Sequence, residues 1–280
     1  MIQTDSRWQM RIENSCLFLD DIRQKRVILQ HNARSSLRPY IHPLRTIEDT
    51  VCLTEDSPGH HPWQHGVQTG FHGVNGCDFW LDPGQNANVP IGSIEPISIG
   101  IIDRIHPSWT VEAIWRNNEG RSLLLEQQNW SLGLDSAHML LDLIWKLQAI
   151  SNIRIEQYSY GGLFVRMPFR QYYGASVFNS AGQQGDETEQ QPARWVSLHM
   201  PIEGSSKGGG TAILDHPANP DHPVKWRVDG QRGINPSPCI KREMNLKTGE
   251  VITYRYRLIL QTNPLTFDQL TILWEKYSQV

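Results

Sequence analysis

In "EVITYRYRLIL", Val251, Thr253, Arg255, Arg257 and Ile259 oppose Ile252, Tyr254, Tyr256 and Leu258 in strict alternation. A period of two is the mark of a strand with two different faces. It constrains the fold more than any other feature because shorter versions recur along most of the chain. Trp8, Met10 and Ile12 alternate, and "CLFL" and "RVIL" follow at hairpin spacing. The runs "SIEPISIGIIDRI", "WTVEAIW", "RSLLLEQQNWSL", "GGLFVRMPF", "ARWVSLHM" and "TAILDH" continue the series, many bounded by Gly, Pro, Asn or Asp. The pattern predicts a mainly β sandwich. A chain of 280 residues is within reach of one large β domain, taken here as 1–280.

Three segments depart from the simple pattern. In "AHMLLDLIWKLQAI", Leu140, Leu143, Ile144, Leu147 and Ile150 fit a helix face, while Met139, Leu141, Leu143, Trp145 and Leu147 fit a strand face; a strand is expected. The final "LTFDQLTILWEKYSQV" reads as a helix capped by Thr266, with Phe267, Leu270, Ile272, Leu273 and Tyr277 apolar. "NSAGQQGDETEQQPA", almost free of apolar side chains, reads as a mobile loop.

Charge excludes several classes of partner. The net charge is −3, with acids and bases mixed and no long run of one sign, so neither nucleic acid nor an anionic membrane is called for. No apolar stretch approaches the roughly 20 residues of a membrane span, and the N-terminus lacks a secretory pattern. A soluble, cytoplasmic protein is expected. Cys16, Cys52, Cys77 and Cys239 are widely spaced without a CxxC pair, which argues for buried thiols.

Histidine carries the chemistry. Five of eleven precede proline: His42, His61, His106, His216 and His222. A residue before proline is held extended, so its side chain leaves the backbone in a restricted direction; His-Pro also simply makes good turns. In "RPYIHPLR", Arg38, Tyr40 and His42 stand at period two and would share one face of an extended segment. The next loop supplies His60, His61, His65 and His72, and "ILDHPANPDHPVKW" supplies Asp215, His216, Asn219, His222 and Trp226. Two chemistries fit. One is a divalent metal held by two or three imidazoles and a carboxylate, with His60, His61, His65 and His72 as candidate ligands. The other is metal-free proton transfer by His61, His65, His216 or His222, helped by Tyr40 and Asp215, with no certain cofactor. Arg38, His42, Arg166, Asn219, Trp80 and Trp226 are the candidate substrate contacts, the indoles suiting the apolar face of a pyranose. Arg166, among apolar neighbours, must meet an anion, either Glu156 or substrate.

Taken in order, "RPYIHPLR", "DSPGHHPWQHG", "GVNGCDFW", "YGGLFVR", "ARWVSLHM", "AILDHPANPDHPVKW" and "YRYRLIL" resemble the DUF6807 family, often labelled PmoA-like, from about residue 38 to 275. A membrane methane monooxygenase subunit needs several spanning helices, which this chain lacks. The resemblance implies an antiparallel β-supersandwich similar to galactose mutarotase, and a place in sugar catabolism. The motif matches fall on Arg38, Tyr40, His61, Asn75, Asp78, Trp80, Arg166, Asp215, His216, Asn219, His222 and Trp226. The chain departs from the family's denser histidine run, reading "HPWQHG" where others resemble HxHHRG. Asn75-Gly76 has the residues of a tight turn, and Gly161 and Gly162 those of a bulge.

Three functions follow as expectations. The first is an enzyme acting on a pyranose or keto-sugar glycoside by His-mediated proton transfer, of lyase, hydrolase or epimerase type. The second is a non-catalytic sugar-binding or regulatory module, and the third a metal-dependent form of the first. A small-molecule sugar is the partner in each, and open sheet edges are compatible with a homodimer. All three require the segments near positions 40, 61 and 216 to meet in one hollow.

Overall fold

The computed structural model describes residues 7–48, 51–135 and 138–280. In chain order its strands are β1 (Trp8–Glu13), β2 (Cys16–Asp21), β3 (Arg26–Asn32), β4 (Tyr40–Leu44), β5 (Val67–Phe71) and β6 (Ser93–Asp103). Then come β7 (Ser108–Arg116), β8 (Ser122–Asp135), β9 (His138–Ala149), β10 (Ile153–Ile155), β11 (Gly161–Val165) and β12 (Ser176–Asn179). The last are β13 (Trp195–Met200), β14 (Gly209–Asp215), β15 (Trp226–Val228), β16 (Ile234–Pro236), β17 (Met244–Leu246) and β18 (Val251–Gln261), before helix α1 (Phe267–Tyr277).

Two eight-stranded sheets result, ordered β1-β2-β3-β4-β5-β11-β16-β15 and β12-β13-β14-β18-β9-β8-β7-β6, with β10 and β17 forming a small ribbon. Every pairing between named strands is antiparallel. The protein is an antiparallel β-supersandwich with one short C-terminal helix; alternation predicted the β-sandwich and the family resemblance the supersandwich.

Alternation decides what lies between the sheets. Met139, Leu141, Leu143, Trp145 and Leu147 of β9 are buried in the main core, while Ile144 on the opposite face is exposed. The ambiguous segment is therefore a strand, because β8 and β18 take up its backbone groups on both sides. The main core also holds a carboxylate. Glu126 accepts from Trp115 Nε1 (2.8 Å), Trp145 Nε1 (2.7 Å), Thr69 Oγ1 (2.7 Å) and Gln128 Nε2 (2.8 Å). The Thr69 contact crosses from β5 to β8, and so fixes which face of β5 looks inward.

Helix α1 lies on the outer face of the second sheet. Leu270, Leu273 and Tyr277 cluster with Trp195, Ala212, Leu214 and Ile259. The expected cap is present as a full capping box: Thr266 accepts from the Gln269 amide, and the Gln269 side chain accepts from the Thr266 amide.

Two expectations about local structure are corrected. The stretch expected to be a mobile loop is built into the fold. Asn179 is pinned to Gln183, Thr188 is fully buried, and Glu189 accepts from Arg227 and the Val228 amide. Turn hydrogen bonds such as the Gly182 amide to Asn179 O and the Glu189 amide to Asp186 O hold its backbone, while most of its polar side chains stay at least partly exposed. The second concerns Gly161 and Gly162, which pair with Phe71 and Gly70 in unbroken register, without a bulge. Their φ values of +146° and +116° favour glycine, and a Cβ on Gly161 would come 2.7 Å from Phe71 and 2.9 Å from the Cys239 sulfur. The Asn75-Gly76 turn stands as expected, with φ of +49° and +80°.

Candidate functional site

Two segments, 54–66 and 72–92, roof the side chains of Arg166 and Arg38 on the first sheet. The first is stitched to β11 through the Glu55 amide to Arg166 O (3.0 Å) and the Arg166 amide to Gly66 O (2.7 Å). The second approaches β5 so closely that a Cβ on Gly70 would come 2.6 Å from Phe79 O and 2.8 Å from Arg38 Nη1. Glycine at position 70 is what lets the Arg38 guanidinium lie flat on the sheet.

Arg38 begins a chain of alternating charge. Its Nε and Nη2 donate to Asp82 Oδ1 (3.2 and 3.1 Å), and its remaining donors reach Thr69 O, Phe79 O and Leu81 O. Asp82 Oδ2 lies 2.7 Å from His65 Nε2, and His65 Nδ1 lies 2.6 Å from Asp56 Oδ1. Burial works against a charge on His65, but hydrogen bonds to Asp56 and Asp82 outweigh it and raise the imidazole above its ordinary value. Burial likewise opposes the Asp82 charge, and His65 and Arg38 reverse that, leaving the carboxyl lowered. Tyr40 of β4 lays its ring 4.9 Å from the His65 ring, and burial together with Asp56 pushes its phenol up to about 12. His42, two residues on, bonds Thr54 Oγ1 at 3.0 Å and is lowered chiefly by burial.

Arg166 extends from the end of β11. It donates from Nε to Gln64 Oε1 (2.7 Å), from Nη1 to Gln231 O (2.7 Å) and from Nη2 to Asp229 Oδ2 (2.9 Å). His61 stands in its field, between the rings of His60 (5.0 Å) and Trp63 (5.3 Å). The His61 imidazole makes no side-chain hydrogen bond among the described residues, and burial followed by Arg166 lowers its pKa. It is therefore neutral near pH 7. An aromatic wall continues from Arg166: Phe164 under the guanidinium, Trp80 against Phe164 (5.2 Å) and Tyr160 (4.8 Å), then Tyr158 and His72 stacked at 3.8 Å. His72 Nδ1 meets Asp78 Oδ2 at 2.8 Å, and Asp78 Oδ1 accepts from the Trp80 and Leu81 amides, which shapes the second roof segment.

Asp215, His216, Asn219 and His222 lie elsewhere. Asp215 ends β14 in the second sheet, fully buried, and accepts from Asn219 Nδ2 (2.7 Å), His222 Nδ1 (2.7 Å) and the Val224 amide (3.0 Å). His222 stacks on Trp274 of α1, and His216 packs edge-on against Tyr277. Among the described residues no hydrogen bond, ion pair or ring contact joins this group to His61, His65 or Tyr40. Tyr40 begins β4 of the first sheet and Asp215 ends β14 of the second, and each group is hydrogen-bonded within itself.

Other assignments change with it. Arg38 and Arg166 are buried and point their donors at internal acceptors, so neither is free to hold a sugar oxygen; the partner of Arg166 is Asp229 rather than Glu156. Trp226 is fully buried and donates to Ala193 O, and Trp80 is buried between Phe164 and Tyr160, so neither indole offers a free face to a sugar. Among the described residues no group of three or more His, Cys, Asp and Glu is placed to hold a metal ion. Both His65 nitrogens face carboxylates and His72 Nδ1 faces Asp78, so His60, His61, His65 and His72 do not form a ligand set. Asp56, Asp82, Gln64, Asp229 and Tyr160 were not foreseen. Asp56 opens the histidine-rich run and was open to notice; Asp82 and Asp229 meet their partners only through the fold.

Comparison with known proteins adds the following. No protein of curated function matches the chain in sequence. Solved structures that align with the chain include the GH36 alpha-galactosidase AgaB from Geobacillus stearothermophilus, at 8% identity and a TM-score of 0.42 over 94% of this chain and 41% of that one. A substituted AgaA from the same organism, in complex with stachyose, gives 10%, 0.44, 93% and 41%. The chain thus spans well under half the length of these structures. The model for a family of unknown function, DUF6807, matches residues 23–275, and the chain belongs to that family.

Proposed function

We propose that the roofed region of the first sheet binds a pyranose or keto-sugar glycoside, and that His61 moves a proton on the bound sugar. The observation that carries this reading is the state of His61: neutral, half-buried, without a hydrogen-bond partner among the described residues, and packed edge-on against Trp63. His42, His65 and His72 in the same region each have a nitrogen engaged, whereas His61 offers an unengaged imidazole to a substrate proton. Trp63 and Tyr160, both half-buried, supply flat faces of the kind that stack on a pyranose. Arg38, Asp82 and His65 act as positioning residues, fixing Asp56 and Tyr40 at the rim. Lyase, hydrolase and epimerase reactions all begin with such a proton movement.

A second reading, a non-catalytic sugar-binding module, draws support from the two arginines. Because Arg38 and Arg166 are satisfied internally, neither is available to stabilise a developing oxyanion.

One experiment separates them. Wild type and His61→Gln are assayed by calorimetry and by turnover against pyranosides and 3-keto-glycosides. The enzyme reading predicts turnover that falls about 100-fold or more in the variant with binding retained. Binding without turnover in wild type selects the module, and absence of both from every compound rejects the sugar reading.

A further inference from the structure

The segment that follows Arg166 presents two adjacent tyrosines to solvent. Tyr172 is 79% exposed and Tyr173 57%, with ring centroids 4.2 Å apart and planes inclined at 48°. The turn beneath them is well held. The Tyr173 amide donates to Arg170 O (3.0 Å), the Gly174 amide to Gln171 O (3.3 Å), and Gly174 closes the turn at φ +70°. Met167 is buried, and Phe169 packs against the main core. Arg170 Nη1 donates to Glu55 Oε1 at 2.8 Å, and the Glu55 amide donates to Arg166 O. Glu55 is the neighbour of Asp56, so the platform is tied directly to the rim of the proposed site.

Large exposed apolar surface calls for an occupant, and its size limits what that occupant is. Two tyrosines offer at most about 300–500 Å², short of the roughly 800 Å² per partner of a stable protein interface. They match a single ring. Phenol faces are apolar and phenol edges polar, as are the faces and edges of a pyranose.

We infer that Tyr172 and Tyr173 form a stacking subsite for a second sugar ring, so that the substrate is a disaccharide or longer glycoside with its reacting ring beneath His61. The inference rests on the sugar reading of the His61 face. It is tested by calorimetry on the full chain with glucose and galactose against maltose, cellobiose and lactose. Variants are Tyr172→Ala, Tyr173→Ala, the double alanine variant and Tyr172→Trp. Wild type should favour a disaccharide over its monosaccharide by about three- to tenfold for each ring engaged. The double variant should lose that preference, and Tyr172→Trp should keep it. Equal affinity in wild type for both sizes, a preference that survives in the double variant, or no saccharide bound at all overturns the subsite. A disaccharide preference that depends on the tyrosines but is indifferent to His61→Gln, in a protein without turnover, keeps the subsite and rejects the role of His61.

Discussion

His65 Nε2 and Asp82 Oδ2 stand 2.7 Å apart beneath the roof of the first sheet, with Arg38 closing on the other oxygen of the same carboxylate. The pair is buried, and each partner moves the other's titration. A raised His65 contributes stability that is complete below the ordinary imidazole value of 6.5 and is lost as pH rises through the raised one. A lowered Asp82 contributes above 3.8 and is lost as pH falls through the lowered one. The stability gap between wild type and His65→Gln should therefore be widest between these limits and narrow on the alkaline side. Urea titrations from about pH 4 to pH 9 measure it, and a gap that stays constant or widens with pH contradicts the imidazolium.

His31 behaves in the opposite sense. Burial pushes its imidazole down to about 3, and its Nδ1 accepts from Trp109 Nε1 at 2.9 Å. The unfolded chain takes up a proton near pH 6.5 and the native state does not, so stability falls as pH drops from 6.5 towards 3. His31→Gln, which keeps an acceptor for Trp109, should show a shallower acid slope in thermal melts. Identical slopes would place the acid sensitivity elsewhere.

Arg166 carries a buried charge whose loss strands Asp229, Gln64 and the Gln231 carbonyl. Arg166→Met should cost about 3–5 kcal/mol, and Arg166→Lys should recover only part, since one ammonium cannot reach three acceptors in a fork. The check is the denaturant midpoint. A loss below about 1 kcal/mol would mean that the pair is not held as described.

Asp215 organises residues 216–224 against α1 and should matter to that side alone. Asp215→Asn replaces one acceptor oxygen by a donor, leaving a buried group unpaired at about 1–3 kcal/mol. Amide exchange at Val224 and Arg255, whose amides bond Asp215 and Asn219, should quicken. If the two groups are independent, the cost should add to that of His65→Gln within about 0.5 kcal/mol. Marked coupling would show that the sheets communicate.

The sandwich was legible because alternation is a local property. Each strand's pattern states which residues face inward, as in β18, and Thr266 with Gln269 announces the start of α1 within four residues. The types of residue at the site were legible too, for "DSPGHHPWQHG" concentrates them. Their partners were not. Asp82 is 17 residues from His65, Asp229 is 63 from Arg166, and Glu126 is 57 from Thr69; nothing in the neighbourhood of either residue selects the other.

What the sequence determined by itself is therefore the architecture and the stock of ionisable side chains, since period, turn and cap are written in adjacent residues. Tertiary structure alone decided that the His61 imidazole has no hydrogen-bond partner among the described residues, which arginines are buried, and that Asp215 ends a strand of one sheet while Tyr40 begins a strand of the other. The physical reason is that charge pairing and burial depend on distances across the sheets. Those distances are set by how strands pair over long separations, a choice that no single segment encodes.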